Sequence, residues 1–107
     1  MAHITRSRKK RYATMRAMHQ GIDVRVLLLL ASRGACFYCG VPLRLAETTV
    51  DHKQPICHGG THGLANLCAA CQDCNQAKGR KTFEEYRARC GGAVFWGEQP
   101  QPARRRA

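Results

Sequence analysis

Residues 36–39 read Cys-Phe-Tyr-Cys, and residues 71–79 read Cys-Gln-Asp-Cys-Asn-Gln-Ala-Lys-Gly. Each stretch contains a Cys-x-x-Cys pair, whose two-residue gap lets both thiolates face one tetrahedral metal ion. Two such pairs that are distant in sequence supply all four corners of a closed structural site. We therefore predict that a structural zinc decides the fold, with four ligands: Cys36, Cys39, Cys71 and Cys74.

The length of the chain supports a structural rather than an incidental metal. At 107 residues the chain is one domain by size, and so short a domain has only a marginal hydrophobic core. A structural zinc can contribute on the order of 10 kcal/mol to folding, which is comparable to the whole net stability of a small domain. Zinc would thus tie together two segments that the core alone holds weakly.

Cysteine usage and hydropathy predict a location. Seven cysteines cannot all pair as disulfides, and no secretory signal argues for an oxidising compartment, so we expect a reducing, intracellular and cytoplasmic setting. The longest apolar run, residues 26–31, is far shorter than the roughly 20 residues that span a bilayer. It predicts a core helix, and we expect no membrane partner.

The charge balance predicts a polyanionic partner. Eighteen Lys and Arg against seven Asp and Glu give 18 − 7 = +11, and binding of zinc to four thiolates would lower this to about +9. Such a charge favours nucleic acid, bound with salt-sensitive affinity. The basic residues crowd the termini and predict three segments: a basic N-terminal arm at 1–20, a folded domain at 21–97 and a disordered basic tail at 98–107. Within the arm, the expected DNA contacts are Lys9, Lys10 and Arg11.

Local signals predict three helices and a hairpin. Asp23 is a plausible N-cap for a helix through Leu30, and the motif Thr82-Phe83-Glu84-Glu85 is a capping box that opens a helix running to about Cys90. Residues 48–52 and 65–69 are short β-rich segments on either side of the Gly59-Gly60 turn, and a short helix is expected from Asn75 to about Arg80.

A joint motif lies on this framework. It reads Cys36-x2-Cys39, Val50-Asp51-His52-x2-Pro55, Gly59-Gly60, Asn66-Leu67, Cys71-x2-Cys74-Asn75 and Lys78-Gly79. Over residues 34–81 the chain closely resembles the HNH endonuclease family, in the variant that carries a four-cysteine zinc site. The resemblance implies an α+β fold, a small zinc-stapled ββα-metal finger with flanking helices.

The resemblance also implies catalytic roles for residues of this chain. His52 would be the general base, Asp51 and Asn75 would hold a catalytic divalent ion, and Asn66 would brace the loop that follows the histidine. The ion would be Mg²⁺ or Mn²⁺, with Ni²⁺ as a further candidate, and the substrate would be DNA. The expected phosphate contacts, which follow the start of the metal-binding helix, are Lys78, Arg80 and Lys81.

The chemistry of these residue types agrees with the implied roles. A neutral imidazole can remove a proton from water at pH 7, and Mg²⁺ prefers oxygen ligands while keeping several waters. Neighbours on a strand point to opposite faces, so we expect Asp51 and His52 where the strand ends, before Pro55.

Several alternatives remain open at this level. Cys68 and Cys71 also form a Cys-x-x-Cys pair, but pairing Cys71 with Cys74 gives Asn75 the position that the family motif requires. A non-catalytic zinc-knuckle module that binds nucleic acid fits the composition equally well. Thiol-disulfide exchange through Cys36 and Cys39 is weaker, because it leaves the second pair unexplained.

The sequence predicts neither the target site nor the oligomeric state. Small stand-alone members of the family are common in phages and mobile elements. The resemblance therefore adds phage packaging proteins, or other proteins, to the candidate partners.

Overall fold

An antiparallel hairpin lies at the centre of this protein, between helices on its two faces. The computed structural model describes residues 18–100. Its helices and strands are, in order, β1 Met18–His19, β2 Ile22–Asp23, α1 Val24–Ala31, β3 Thr49–His52, β4 Leu67–Ala70, α2 Gln72–Lys78 and α3 Phe83–Arg89. The predicted α+β class is confirmed.

One face of the central hairpin packs on α1. Strands β3 and β4 pair in a register that places Val50 opposite Ala69. Because side chains alternate along a strand, these two share a face, and they pack there with Val24 and Leu28 of α1. The predicted core helix therefore covers one side of the hairpin, while Leu30 at its far end stays 72% exposed.

The other face of the hairpin carries an aromatic core. Cys68 and Ala70 of β4 lie in this core. Tyr38 and Phe95 meet edge to face with ring centroids 4.8 Å apart, a geometry that the ring quadrupoles favour, while Tyr86 and Phe95 stack. The remaining buried members of this cluster are Cys36 and Phe37.

Helices α1 and α3 begin where their capping signals predict. Asp23 accepts a hydrogen bond from the backbone N–H of Arg25 at 2.9 Å. Thr82 and Glu85 form the expected reciprocal capping box, with Glu85 N donating to Thr82 Oγ1 at 3.1 Å and Thr82 N donating to the Glu85 carboxylate at 2.8 Å. Both caps are confirmed.

Helix α2 begins three residues before the predicted start at Asn75. The Sγ of Cys71 accepts a hydrogen bond from the backbone N–H of Cys74 at 3.4 Å and so caps the helix at Gln72. A thiolate in this position takes the place of the usual Ser or Asp cap. Asn75 is consequently the fourth residue of the helix rather than its first.

The second strand of the hairpin is also displaced from its prediction. Residues Leu64–Asn66 form a 3-10 turn, and β4 runs over Leu67–Ala70 instead of residues 65–69. Asn66 belongs to this turn rather than to β4, and its side chain forms hydrogen bonds with the backbone of Gln54 and Thr61 in the neighbouring loop.

Most of the predicted N-terminal arm and C-terminal tail lie outside the described residues. The structure describes neither residues 1–17, which include Lys9, Lys10 and Arg11, nor residues 101–107. Glu98, which lies within the predicted tail, pairs with Arg87 at 2.5 Å. Among residues 18–100, no helix is long and apolar enough to cross a bilayer.

The Gly59-Gly60 pair shapes the loop between the two strands. Gly59 has φ +88°, in the left-handed region that favours glycine. A Cβ on Gly60 would lie 1.8 Å from the carbonyl oxygen of Gln54, whereas one on Gly63 would meet only the Thr61 hydroxyl at 3.6 Å. The backbone of the loop thus folds onto itself at Gly60.

We expect Gly60→Ala to destabilise the protein by about 1–3 kcal/mol, because the backbone must move to admit the methyl group. Gly63→Ala is the matched control in the same loop, and its free energy of unfolding should stay near that of the wild type. Urea unfolding of both variants measures the difference. Equal stability of the two variants would contradict the close approach at Gly60.

Candidate functional site

Four cysteine thiols converge at the junction of the aromatic core and α2. The Sγ atoms of Cys36, Cys39, Cys71 and Cys74 all lie within 4.8 Å of one another. Tetrahedral zinc with Zn–S bonds of about 2.3 Å places its sulfurs about 3.8 Å apart, and Cys39 and Cys71 are 3.9 Å apart. The four residues can hold one metal ion, and their geometry and donor type fit zinc. Among residues 18–100, no other group of three or more His, Cys, Asp or Glu side chains converges in this way.

The electrostatics differ from one thiol of the cluster to the next. The contact with the Cys74 thiol lowers the pKa of Cys36, whereas the contact with Cys36 raises the pKa of Cys74 and burial raises the pKa of Cys39. Cys68 is buried on β4 and burial raises its pKa. Cys68 lies outside the cluster and is a neutral core residue. The structure therefore favours the Cys71/Cys74 pairing over Cys68/Cys71.

Asp51 is a buried carboxylate held by two neighbours. The Tyr38 hydroxyl donates to its Oδ2 at 2.5 Å, and the Lys78 ammonium lies 3.4 Å from the same oxygen. Burial raises the pKa of Asp51, while the hydrogen bond from Tyr38 and the charge of Lys78 oppose that rise. Oδ1 takes part in neither contact, so the fixed carboxylate has a second oxygen to offer to a cation.

Lys78 does not have the predicted surface position. Its side chain is 0% exposed, and its Nζ donates to the backbone carbonyl of His52 at 2.8 Å as well as pairing with Asp51. The prediction of a DNA contact through Lys78 is therefore wrong in this structure. A buried ammonium must be paired, and here it joins the end of α2 to the end of β3.

The hydrogen-bond pattern fixes the orientation of the Asn75 amide. The Thr49 hydroxyl donates its single proton to the carbonyl of Ala70 at 2.8 Å. It can therefore only accept at its 2.8 Å contact with Asn75, which must present its Nδ2 amino group. Nδ2 is thus directed at β3, and the amide oxygen Oδ1 takes no part in this bond.

His52 contacts a residue that the sequence did not single out as functional. Its Nε2 lies 3.0 Å from Nδ1 of His62, and the two rings meet at 77° with centroids 5.0 Å apart. Burial, together with the charges of His62 and Lys78, lowers the pKa of His52 from its usual 6.5. The imidazole of His52 is therefore neutral at pH 7.

The predicted catalytic residues divide between the two sides of the hairpin. Thr49 and Asp51 share the face that contacts Asn75 and Lys78 of α2. His52 is the last residue of β3, and strand alternation turns its side chain to the opposite side. The structure thus brings Asp51 and Asn75 to one face, and it places His52 at the strand end on the other side, where its ring contacts His62.

Asn66 ties the loop that follows His52. Its Oδ1 accepts from the backbone N–H of Gln54 at 2.9 Å, and its Nδ2 donates to the carbonyls of Gln54 and Thr61 at 2.9 and 2.8 Å. The backbone of Asn66 also accepts from Lys53 N at 2.7 Å. One side chain therefore bridges the two arms of the loop, close to both His52 and His62.

Two of the predicted phosphate contacts remain at the surface. Arg80 is exposed and Lys81 is half-buried, just beyond the end of α2. Lys81 donates to the Ala77 carbonyl at 3.2 Å. The two cations flank the end of α2 that carries Lys78.

Sequence reasoning missed Tyr38 and His62 as neighbours of the predicted catalytic residues. Tyr38 is 13 residues from Asp51, and His62 is 10 residues from His52. Tyr38 reaches Asp51 because the first Cys-x-x-Cys turn folds onto the hairpin. His62 reaches His52 because the loop that contains Gly59 and Gly60 folds back onto β3. The position of Tyr38 inside the Cys36-x-x-Cys39 pair could have indicated its role. A tyrosine hydroxyl that is buried beside a metal site needs a hydrogen-bond partner.

Comparisons with known proteins agree with the motif. The sequence pattern of the family described as HNH endonuclease matches residues 36–81. Over 49 residues the chain is 41% identical to the CRISPR-associated endonuclease Cas9 of Corynebacterium diphtheriae, covering 45% of this chain and 4% of that protein. The crystal structure of the Type II-C Cas9 enzyme from Actinomyces naeslundii matches 84% of this chain and 9% of its own, with a TM-score of 0.60 and 26% identity. The chain therefore spans a small fraction of the length of either relative.

The thiol cluster yields a test of metal dependence. Cys39 is exposed, so Cys39→Ser removes a ligand with little loss of packing. We expect this variant to lose bound zinc and a large part of the roughly 10 kcal/mol that a structural zinc contributes. Cys57→Ser, at an exposed cysteine outside the cluster, is the control. Zinc per chain and thermal unfolding are the measurements, and full zinc content in Cys39→Ser would refute the assignment.

Proposed function

We propose that this chain is a metal-dependent nuclease of the HNH endonuclease family, whose pattern matches residues 36–81, and that it hydrolyses DNA phosphodiester bonds. The observation that supports the proposal is the placement of Asp51 and Asn75 on one face of the hairpin, through contacts of Asp51 with Lys78 and of Asn75 with Thr49, and of His52 at the end of the strand that carries Asp51. A metal-binding thiol cluster caps the helix that bears Asn75. Hydrolysis needs a base and oxygen ligands for a cation, and these residues supply both.

His52 is the proposed general base. Burial and His62 lower its pKa below 6.5, so the ring is neutral at physiological pH and can take a proton from the attacking water. The Lys78 ammonium holds the backbone carbonyl of His52 at 2.8 Å, which keeps the last residue of β3 in place. Asn66 braces the loop that follows and is the proposed supporting residue of the base.

Asp51 and Asn75 are the proposed ligands of a divalent cation, each through its Oδ1 atom. Tyr38 and Lys78 engage Oδ2 of Asp51, and Thr49 engages Nδ2 of Asn75. Carboxylate and amide oxygens suit Mg²⁺ or Mn²⁺, with Ni²⁺ as a further candidate. When bound, such a cation supplies positive charge for the phosphorane and the departing 3′ oxygen.

The proposed DNA contacts lie at the end of α2 and in the N-terminal arm. Arg80 and Lys81 are the proposed contacts within the described residues, and Lys9, Lys10 and Arg11 are the proposed contacts in the arm. Attraction to the phosphate backbone follows from the net charge of +11 and should weaken with salt. The proposed setting is a reducing compartment, where the four thiols stay available for zinc.

A non-catalytic nucleic-acid-binding module is the second candidate function. One observation favours it: the ring of His52 contacts His62, and strand alternation turns it to the side of the hairpin opposite Asp51. Under this alternative the thiol cluster and the basic surface would bind DNA without cutting it. Cleavage experiments separate the two functions directly.

We expect purified protein to nick or cleave plasmid DNA with Mg²⁺ or Mn²⁺ and to lose this activity in EDTA. His52→Ala should lower the cleavage rate by about 10²- to 10⁴-fold, the usual contribution of a general base, with unchanged zinc content. His58→Ala, at an exposed histidine of the same loop, is the matched control and should cleave like the wild type. Equal rates for His52→Ala and the wild type would defeat the enzyme proposal, and DNA binding without cleavage in the wild type would favour the second candidate.

The pH dependence should follow the protonation of His52. As pH falls through the lowered pKa of His52, the ring gains a proton and can no longer act as a base, so kcat/KM should fall. Because that pKa lies below 6.5, the acid limb should have its midpoint below pH 6.5, with full activity near pH 7. Cleavage kinetics between pH 5 and pH 8 measure the profile. A flat profile, or a midpoint above 6.5, would contradict a histidine base in this environment.

A further inference from the structure

We propose that residues 95–98, near the C-terminal end of the described chain, act as a strap that restrains the first Cys-x-x-Cys turn and so slows the release of a metal ion from the thiol cluster. Trp96 and Gly97 of this strap act through the turn and are positioning residues for its exposed thiol, Cys39. The inference goes beyond the proposed function, because retention of the ion can be measured without DNA and without cleavage.

The strap bonds directly to the backbone of the turn at residues 36–39. The N–H of Gly97 donates to the carbonyl of Phe37 at 2.7 Å, and the N–H of Trp96 donates to the carbonyl of Tyr38 at 3.3 Å. The same turn also bonds the central hairpin, because the N–H of Phe37 donates to the carbonyl of Ala69 at 2.7 Å. The turn is therefore held between β4 and the strap.

Trp96 holds the residues on both sides of Cys39. Among the four members of the thiol cluster, Cys39 alone is exposed, so its thiol is the one most open to water and to competing ligands. The backbone of Trp96 bonds Tyr38, the residue before Cys39. The indole ring packs against Gly40, the residue after it, where a Cβ would lie 3.2 Å from the ring. A backbone movement that carries the Cys39 thiol away from the cluster must therefore break contacts with Trp96.

The strap is anchored to the rest of the domain independently of the turn. Phe95 is buried in the aromatic core, where its ring stacks on Tyr86 of α3. The Nε1–H of Trp96 donates to the carbonyl of Ser32, at the end of α1, at 2.9 Å. The guanidinium of Arg33 lies 4.4 Å from the centre of the indole ring and donates to the carbonyl of Trp96 at 3.0 Å. A restraint is effective only if its other end is fixed, and here α1 and the aromatic core fix it.

Two substitutions weaken the strap in different ways. A Cβ on Gly97 would overlap the ring of Phe37, so Gly97→Ala must move the strap away from the turn, whereas Trp96→Ala removes the ring that packs on Gly40. We expect both variants, loaded with zinc and mixed with an excess of a coloured zinc chelator, to release zinc about 10- to 100-fold faster than the wild type, the usual loss of metal affinity when groups that support the ligands are removed. Val94→Ala, at an exposed position beside the strap, is the control and should release zinc like the wild type.

Gly60→Ala separates restraint of the turn from general stability. Gly60 lies in the loop between β3 and β4, and its Ala variant is expected to destabilise the protein through contact with Gln54 rather than with the strap. Under the proposal, zinc release from Gly60→Ala stays close to the wild-type rate. Equal acceleration in Gly60→Ala and Gly97→Ala would show that zinc is lost through global unfolding and would overturn the role of the strap. Because Trp96 is half-buried, Trp96→Ala is expected to fold, and it decides the question if Gly97→Ala does not.

The position of the strap can be observed directly, because Trp96 is the single tryptophan of the chain. In zinc-loaded Gly97→Ala, acrylamide should quench the fluorescence of Trp96 more strongly than in the wild type, while Gly60→Ala should be quenched like the wild type. Wild-type rates of zinc release in both Gly97→Ala and Trp96→Ala would overturn the proposal. Failure of the wild type to bind zinc would overturn it as well.

Discussion

The convergence of four thiols is the constraint on which the rest of the structure depends. It closes the turn at residues 36–39 onto the start of α2, and Cys71 acts both as a member of the cluster and as the helix cap. Tyr38 extends from that same turn to the carboxylate of Asp51. The thiol cluster and the proposed catalytic strand are therefore linked through Tyr38, and also through Asn75 and Lys78 of the helix that Cys71 caps, so that disturbing the cluster is expected to displace the strand.

The central hairpin divides the small hydrophobic core into two clusters, one on each of its faces. One face packs on α1 through aliphatic side chains such as Val50, and the other meets the aromatic cluster and α2. Asp51 and Asn75 of the proposed site lie on the second face, where Lys78 balances the buried charge of Asp51, and His52 lies at the end of β3 with its side chain on the other side. In this small domain, the residues of the proposed site therefore lie at the edge of the hydrophobic core.

Much of this arrangement could be predicted from sequence, and the physical reason differs from residue to residue. The caps at Asp23 and Thr82 and the pairing of Cys71 with Cys74 depend on local spacing, which the sequence displays directly. The burial of Lys78 could not be predicted, because a lysine in the last turn of a helix is usually solvated, and here it is enclosed and paired with Asp51. The contact between His52 and His62 likewise depends on loop closure over Gly60, which no local pattern encodes.

The burial of Lys78 has a consequence for the chemical behaviour of the molecule. Acylating and alkylating reagents attack amines that are both accessible and unprotonated, and the Lys78 amine is enclosed and paired with a carboxylate. Covalent labelling of that amine is therefore confined to molecules in which the hairpin has separated from α2. The extent of its labelling would record how often this part of the protein opens, while the surface amines react at all times.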